Sequence, residues 1–240
     1  MAVKSVALAS RRLERQLVPD RENFVVEACR GKRVLHLGFV DYPYLRSRIA
    51  GGTWLHARLA SVAREIVGVD MAGDDLAALR DHPEYGTLIE ANAEELEQLG
   101  LEPFDVIVAG ELVEHLDNPG RFLDSARSVL APGGKLIVTV PNAYCVRRLL
   151  RIPFGVEKVH PDHVAYYSQA TLRELLRRHG YELVYTAGYR LAPRGENRLA
   201  FEIDRVASVI SPNLCEGVVC VAADARAAQR SAGGSTAGRA

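Results

Sequence analysis

"FDVIVAGELVEHLDNPGRFLDSARSVLAPGGKLIVTVPN", residues 104–142, decides the fold class. It opens with one short apolar run, Phe104–Ala109, and closes with another, Lys135–Val140. Between the runs, Asn118 or Asp117 can cap a helix whose first residue is the following proline. We expect that helix to stop at "APGG". A buried strand, a helix and a second buried strand in succession predict a parallel sheet with helical connections.

The same alternation extends on both sides of this stretch. Four of the first five predicted strands are apolar on both faces, as a sheet covered on both sides requires. A second helix is expected between Ser168, as its cap, and Gly180. We therefore predict an α/β fold with a doubly wound, Rossmann-like, seven-stranded and mostly parallel sheet and helices on both faces. The remaining predicted strands are Arg33–Leu37, Glu65–Val69, Thr87–Glu90, Glu182–Ala187 and Gly217–Ala222.

The length of 240 residues suits one domain of this kind. We expect a helical lead-in over residues 1–30, the α/β domain over 31–222 and a disordered, Ala/Gly/Ser-rich tail over 223–240. Lys plus Arg and Asp plus Glu each number 30, so the chain has no global basic footprint for nucleic acid. The cysteines form no C-x-x-C pair, and we find no signal peptide or membrane-spanning run. These features predict a cytoplasmic protein with reduced thiols.

Ligands of open α/β sheets bind beyond the carboxyl ends of the strands, so the residues that follow each strand are the candidates. Gly38 follows the first predicted strand and Asp70 the second, where a carboxylate can accept hydrogen bonds from both ribose hydroxyls of a nucleoside. Asn92 and Ala93 follow the third and can meet an adenine edge. The turn after Gly38 lacks the further glycines with which G-x-G-x-x-G binds a pyrophosphate, which disfavours a dehydrogenase. A phosphate-free nucleoside cofactor does not need them.

Residues 104–142, together with "VLHLG" at 34–38, "EIVGVD" at 65–70 and "HPDHVAYYSQATLRELLRRHGYE" at 160–182, resemble the class I S-adenosylmethionine-dependent methyltransferases. The similarity is to the branch of ubiquinone-biosynthesis O-methyltransferases and related small-molecule methyltransferases. It implies S-adenosylmethionine as the cofactor. The cofactor-binding residues that we infer on this basis are Gly38, Asp41, Asp70, Met71, Asn92, Ala93, Gly110 and Glu111.

The first turn departs from the family pattern. His36 stands where the family usually has an acidic residue that helps to hold the methionine amino group. The turn is also lengthened by an insertion, residues 41–53. Asp41 is the candidate for the missing carboxylate, and Tyr42 or Tyr44 for a cover over the cofactor. The alternative is a pocket that has lost its cofactor.

A group of carboxylates and histidines follows the fourth predicted strand. Glu111 and Glu114 are spaced i,i+3 and His115 is adjacent, while "HPDH" adds His160 and His163. Resemblance to RNA 2′-O-methyltransferases implies a divalent metal bound by Glu111, Glu114, His115 and His163 or His160, with Mn²⁺, Fe²⁺ or Zn²⁺ suited to these ligands. A second interpretation is structural. A third is general-base catalysis, with His115 and His163 as catalytic residues that accept the proton of an acceptor hydroxyl.

We expect an enzyme that O-methylates a small hydroxylated metabolite, such as a sugar or a quinone precursor. The partner is then a small-molecule acceptor, and neither a membrane nor nucleic acid is expected. Two alternatives stay open: a metal-dependent RNA 2′-O-methyltransferase and a non-catalytic scaffold with the cofactor fold. The neutral charge and the absence of an added RNA-binding domain disfavour the RNA enzyme.

Overall fold

A computed structural model describes residues 12–79, 81–190 and 198–225. The strands are β1 (Leu17–Val18), β2 (Arg33–Leu37), β3 (Glu65–Asp70), β4 (Thr87–Glu90), β5 (Phe104–Gly110), β6 (Leu130–Pro141), β7 (Tyr181–Tyr189) and β8 (Gly217–Asp224). The α-helices are α1 (Arg21–Cys29), α2 (Leu45–Ala50), α3 (Leu55–Ala60), α4 (Gly73–Leu79), α5 (Pro119–Ser128), α6 (Val146–Leu149), α7 (Gln169–Arg178) and α8 (Arg198–Ile210). Short 3₁₀ helices span Pro83–Tyr85, Ala93–Leu99, Val113–His115, Ile152–Phe154 and Pro212–Leu214.

The strands form a single sheet in the order β1-β7-β8-β6-β5-β2-β3-β4. Neighbours pair in parallel, except that β8 runs antiparallel to both β6 and β7. The doubly wound, mostly parallel architecture is confirmed, but the predicted number of seven strands is wrong by one. The extra strand is β1, in which Leu17 pairs with Gly188 of β7.

Both ends of the predicted domain need correction. The lead-in is helical only over α1, because Leu17 and Val18 extend the sheet as β1; residues 1–11 lie outside the described part. At the other end β8 continues through Asp224, so the first two residues of the predicted tail belong to the sheet. Residues 226–240 lie outside the described part.

Alternate residues of the central strands pack against different helical layers. Val34 of β2 and Val106 of β5 belong to a buried cluster that includes residues of α1 and α3. Their neighbours Leu35 and Ile107 point to the opposite face and pack in a cluster with residues of α5 and α7. This two-sided burial explains why apolar residues occupy consecutive positions in both strands, at Val34–Leu35 and at 106–109.

The predicted helix starts are confirmed and one predicted stop is wrong. The Asn118 side chain accepts a hydrogen bond of 3.0 Å from the backbone N–H of Arg121 and so caps α5. Ser168 and Thr171 form a capping box at the start of α7. The "APGG" segment does not end α5, which stops at Ser128; it lies inside β6.

The topology sets the position of the site. From β2 the chain crosses to β3 and β4, and it then returns to the other side of β2 to form β5. The carboxyl ends of β2 and β5 therefore flank the point at which the strand order reverses, where ligands of such sheets bind. No helix in the described ranges is long and apolar enough to span a membrane.

Candidate cofactor and acceptor site

A cleft of about 700 Å³ opens at the carboxyl ends of β2 and β5. Five of the eight predicted cofactor residues line it: Gly38, Asp41, Asp70, Gly110 and Glu111. His115, one of the two predicted catalytic histidines, lines it as well.

The other three predicted cofactor residues lie beyond the cleft wall. The Met71 side chain is 71% exposed. Asn92 caps the 3₁₀ helix that follows it, because its Oδ1 accepts a 2.9 Å hydrogen bond from the backbone N–H of Glu94. Ala93 is buried in the core cluster that contains residues of α5 and α7. These three residues do not line the cleft, so their contacts with an adenine stay a prediction.

The first turn needs only one glycine. Gly38 has a φ of +66°, and a Cβ built on it would lie 3.1 Å from the side chain of Leu112. The turn is held by Asp70: Oδ2 accepts a hydrogen bond of 2.9 Å from the backbone N–H of Val40, and Oδ1 accepts one of 3.1 Å from Ala72. The carboxylate at the end of β3 thus orders the wall of the cleft and remains at its surface.

His36 is buried and forms a stacked pair with His56. Their Nδ1 atoms are 3.1 Å apart, and Nε2 of His56 lies 2.9 Å from the carbonyl oxygen of Tyr85. Burial first, and then electrostatic repulsion from His56 and Arg21, holds the pKa of His36 well below its usual 6.5. Burial lowers the pKa of His56 to about 4. The end of β2 therefore carries neutral imidazoles where the family usually has a carboxylate.

Asp41 has a partner of its own. Its backbone is left-handed, with a φ of 56°, and its carboxylate forms an ion pair with Arg48 of α2. Arg48 also lies 3.3 Å from Glu22, which binds Arg58 at 2.8 Å. This network joins the insertion to α1 and α3. Asp41 lines the cleft as predicted, but its charge is already compensated.

A second charged network lies across the cleft, at the end of β5. Oε1 of Glu111 accepts hydrogen bonds from the hydroxyls of Tyr189 and, at 3.0 Å, Thr139, and it lies 3.4 Å from Nη1 of Arg21. The guanidinium of Arg21 is nearly buried and is always charged. The site thus presents one fixed cation and one fixed anion side by side.

Three members of this network were missed by the sequence reasoning. Thr139 left a signal, because it is the polar residue of an apolar strand, "LIVTVP". Arg21 at the first position of α1 and Tyr189 at the end of β7 left none, since only the tertiary fold brings these two elements to the cleft.

Glu114 is not a ready metal ligand. Its side chain is fully buried, and neither carboxylate oxygen has a hydrogen-bond partner among the described residues. Burial, and then the nearby charge of Glu111, raises the pKa of Glu114 to about 9. The carboxyl is therefore protonated at neutral pH.

Three histidines gather at the mouth of the cleft. Nitrogen atoms of His115, His160 and His163 all lie within 4.8 Å of one another. Burial, and then electrostatic repulsion from His160, lowers the pKa of His115. Burial, and then repulsion from His115 and His160, lowers the pKa of His163 to about 4. These two imidazoles are thus unprotonated at neutral pH, as a proton acceptor or a metal ligand must be.

The predicted metal set of Glu111, Glu114, His115 and His163 is not assembled in the structure. Glu111 has a left-handed backbone, with a φ of 52°, and its side chain accepts hydrogen bonds from Thr139 and Tyr189. The Glu114 side chain is buried in the core. Among the described residues, the group that has metal-ligand spacing contains the three histidines alone.

The residues of the cleft fit S-adenosylmethionine. Gly38 lines the cleft without a side chain, and Asp70 offers a carboxylate for ribose hydroxyls. Arg21 and Glu111 carry charges opposite to those of an amino-acid carboxylate and ammonium. No cluster of glycine N–H groups for a pyrophosphate is present in the described first turn.

Comparison with known proteins agrees with this fit. A family model described as a methyltransferase domain matches residues 49–186. The ubiquinone biosynthesis O-methyltransferase of Azorhizobium caulinodans is 31% identical over 187 residues, 73% of this chain and 69% of the relative. That of Xylella fastidiosa is 29% identical over 196 residues, 76% and 75% of the two chains.

The solved structures show the same fold. N-methyltransferase NodS from Bradyrhizobium japonicum, in complex with S-adenosyl-L-homocysteine, superposes with a TM-score of 0.54 at 13% identity over 84% of both chains. The family match and the sequence relatives go further than the fold, because the family model spans Asp70, Gly110, Glu111 and His115 of the cleft and the relative from Azorhizobium is 31% identical over 73% of this chain. The chain therefore belongs to the class I S-adenosylmethionine-dependent methyltransferases.

Proposed function

We propose that this methyltransferase transfers the methyl group to a hydroxyl of a small molecule, and that His115 is the general base. The observation that carries the proposal is a pair of neutral imidazoles: His115, which lines the cofactor cleft, and His163, which contacts the His115 ring from behind that lining. Transfer of a methyl cation to a hydroxyl oxygen requires that the hydroxyl proton leave, and a nearby neutral histidine can accept it.

The cofactor supplies an electrophilic methyl group on a positively charged sulfur. The protein contributes position: an acceptor oxygen that enters over His115 is held in line with that methyl group, and such positioning is worth about 7–11 kcal/mol at its best. His163, whose ring centroid is 4.5 Å from that of His115 in an edge-to-face contact, orients the base. No covalent enzyme intermediate is needed.

The surroundings of the cleft suit an aromatic or otherwise planar acceptor. Tyr42 and Tyr44 line it with largely exposed rings and can stack on such a molecule. The relatives from Azorhizobium and Xylella bear the name ubiquinone biosynthesis O-methyltransferase, which favours O-methylation of this acceptor class.

The test compares a hydroxyl acceptor with an amine acceptor of similar shape. An alkyl catechol and the corresponding alkyl aniline are incubated with S-adenosylmethionine, and products are identified by mass spectrometry. We expect a methyl ether from the catechol and no methylamine. His115→Asn should lower kcat by about 10²–10⁴-fold and leave the affinity for S-adenosylhomocysteine unchanged. The control His82→Asn, at an exposed position, should have the kcat of the wild type. Methylation of the aniline alone would overturn the proposal.

The general-base role and a metal role are separated by chelation. If His115 acts as a base, EDTA leaves the methylation rate unchanged. Loss of activity with EDTA and its recovery on addition of Mn²⁺ or Zn²⁺ would instead assign His115, His160 and His163 as ligands.

A further inference from the structure

The family's usual anchor for the cofactor ammonium is absent from β2, because His36 stands in its place and pairs with His56 of α3. A primary ammonium inside a partly dry cleft still needs an anion or several acceptors. The described acids that line the cleft are Asp41, Asp70, Glu111 and Asp162.

Three of these acids are otherwise engaged or displaced. Asp41 is ion-paired with Arg48. Both oxygens of Asp70 accept backbone hydrogen bonds at the end of β3, on the side of the cleft away from β5. Asp162 is exposed on the long connection and lies 3.7 Å from His160.

Glu111 has the geometry of an anchor. The hydrogen bonds that its carboxylate accepts from the described residues, from the Tyr189 and Thr139 hydroxyls, both fall on Oε1, and Oε1 is also the oxygen nearest to the Arg21 guanidinium. Oε2 accepts no hydrogen bond from the described residues, and the side chain is 31% exposed at the cleft.

The backbone of Glu111 supports the same role. A φ of 52° is unfavourable for a residue with a Cβ, and it is maintained here by a 2.8 Å hydrogen bond from the Glu111 N–H to the Thr139 carbonyl. Strained non-glycine residues of this kind cluster at ligand sites, because the strain places a side chain that a relaxed backbone would not.

We propose that Glu111 binds the α-ammonium of the cofactor through Oε2 and thereby replaces the acid that is missing at position 36. Arg21, next to it, then faces the α-carboxylate, so that the pair is complementary to the zwitterion of the methionine end. The inference rests on the cofactor and not on the acceptor proposed above.

The experiment measures binding to the wild-type protein and to Glu111→Gln by calorimetry without an acceptor. The two ligands are S-adenosylhomocysteine and its analogue with hydrogen in place of the α-amino group. We expect the wild type to prefer the amino ligand by about 10–100-fold, the value of a charge-assisted hydrogen bond. Glu111→Gln should lose that preference and keep its affinity for the deamino analogue, which also shows that the variant folds.

Asp41→Asn is the matched control, because Asp41 lines the same cleft but is paired with Arg48. It should retain the preference for the amino ligand. The inference is overturned if Glu111→Gln weakens both ligands by the same factor, or if Asp41→Asn is the variant that loses the preference. Neither result depends on whether the acceptor is a hydroxyl compound.

Discussion

Replacement of Glu114 by glutamine should change how the stability of the protein depends on pH. The folded state raises the pKa of Glu114 from 4.5 to about 9. Between these values the unfolded chain has released the proton and the folded chain retains it. The free energy of unfolding of the wild type therefore falls by about 1.4 kcal/mol for each pH unit in this window from this group alone.

Glutamine does not titrate, so the free energy of unfolding of Glu114→Gln lacks this contribution to its pH dependence. Relative to the wild type, the variant should gain about 3 kcal/mol of stability between pH 6 and pH 8. The buried amide has no partner to bond, which costs about 1–3 kcal/mol but does so equally at every pH. The difference between the two pH values is thus the informative quantity.

The measurement is urea unfolding at pH 6, 7 and 8, followed by the fluorescence of Trp54, the single and buried tryptophan. The exposed Glu182→Gln is the control and should show the pH dependence of the wild type. A stability difference between wild type and Glu114→Gln that stays constant from pH 6 to 8 would refute the reasoning, because Glu114 would then be ionised in the folded protein.

Three further changes test the fold and the cofactor site. Asn118→Ala removes the cap of α5 and should lower the free energy of unfolding by about 1 kcal/mol, measured in urea against Asn118→Asp, which retains an acceptor. Gly38→Ala should cost about 1–2 kcal/mol because of its left-handed backbone, with Leu112 also displaced; unchanged stability would exclude strain in this turn. Asp70→Asn should weaken S-adenosylhomocysteine binding by about 10–100-fold, and calorimetry that finds equal affinity would remove Asp70 from the site.

The strands were predictable where burial on both faces left a local mark. β2 is buried on both faces and was located with the bounds that the structure gives it. β4 was located with its bounds as well, although this edge strand has only exposed and half-buried residues. β1 was not predictable in the same way, since its two residues owe their strand conformation to pairing with Gly188 and Tyr189, about 170 positions further along the chain. The "APGG" segment was misassigned because glycine and proline usually stop helices, whereas here they precede the buried part of an unusually long strand.

The site residues were predictable where they directly follow the carboxyl end of a strand. Gly38 and Asp70 lie at the cleft because parallel strands bring their carboxyl ends to one edge. The side chains that each carboxylate contacts were not predictable. Glu111 and Glu114 are three residues apart, yet one faces the cleft beside Arg21 and the other is buried with no hydrogen-bond partner in the described part of the chain. Sequence spacing gives the face of a regular helix, and this segment is a strained turn followed by a 3₁₀ helix.

The tautomers of the His36–His56 pair explain why the end of β2 tolerates the loss of its acid. A carbonyl oxygen only accepts, so Nε2 of His56 must donate to Tyr85, and the Nδ1 of neutral His56 is then an acceptor. Nδ1 of His36 therefore donates to it, and Nε2 of His36 is left with a lone pair. A carboxylate at position 36 would only accept, so a hydrogen bond with Nδ1 of His56 would need His56 to donate from both nitrogens and hence to be charged. The two histidines thus form a neutral unit, and the negative charge that we propose for the cofactor ammonium is that of Glu111 at the end of β5.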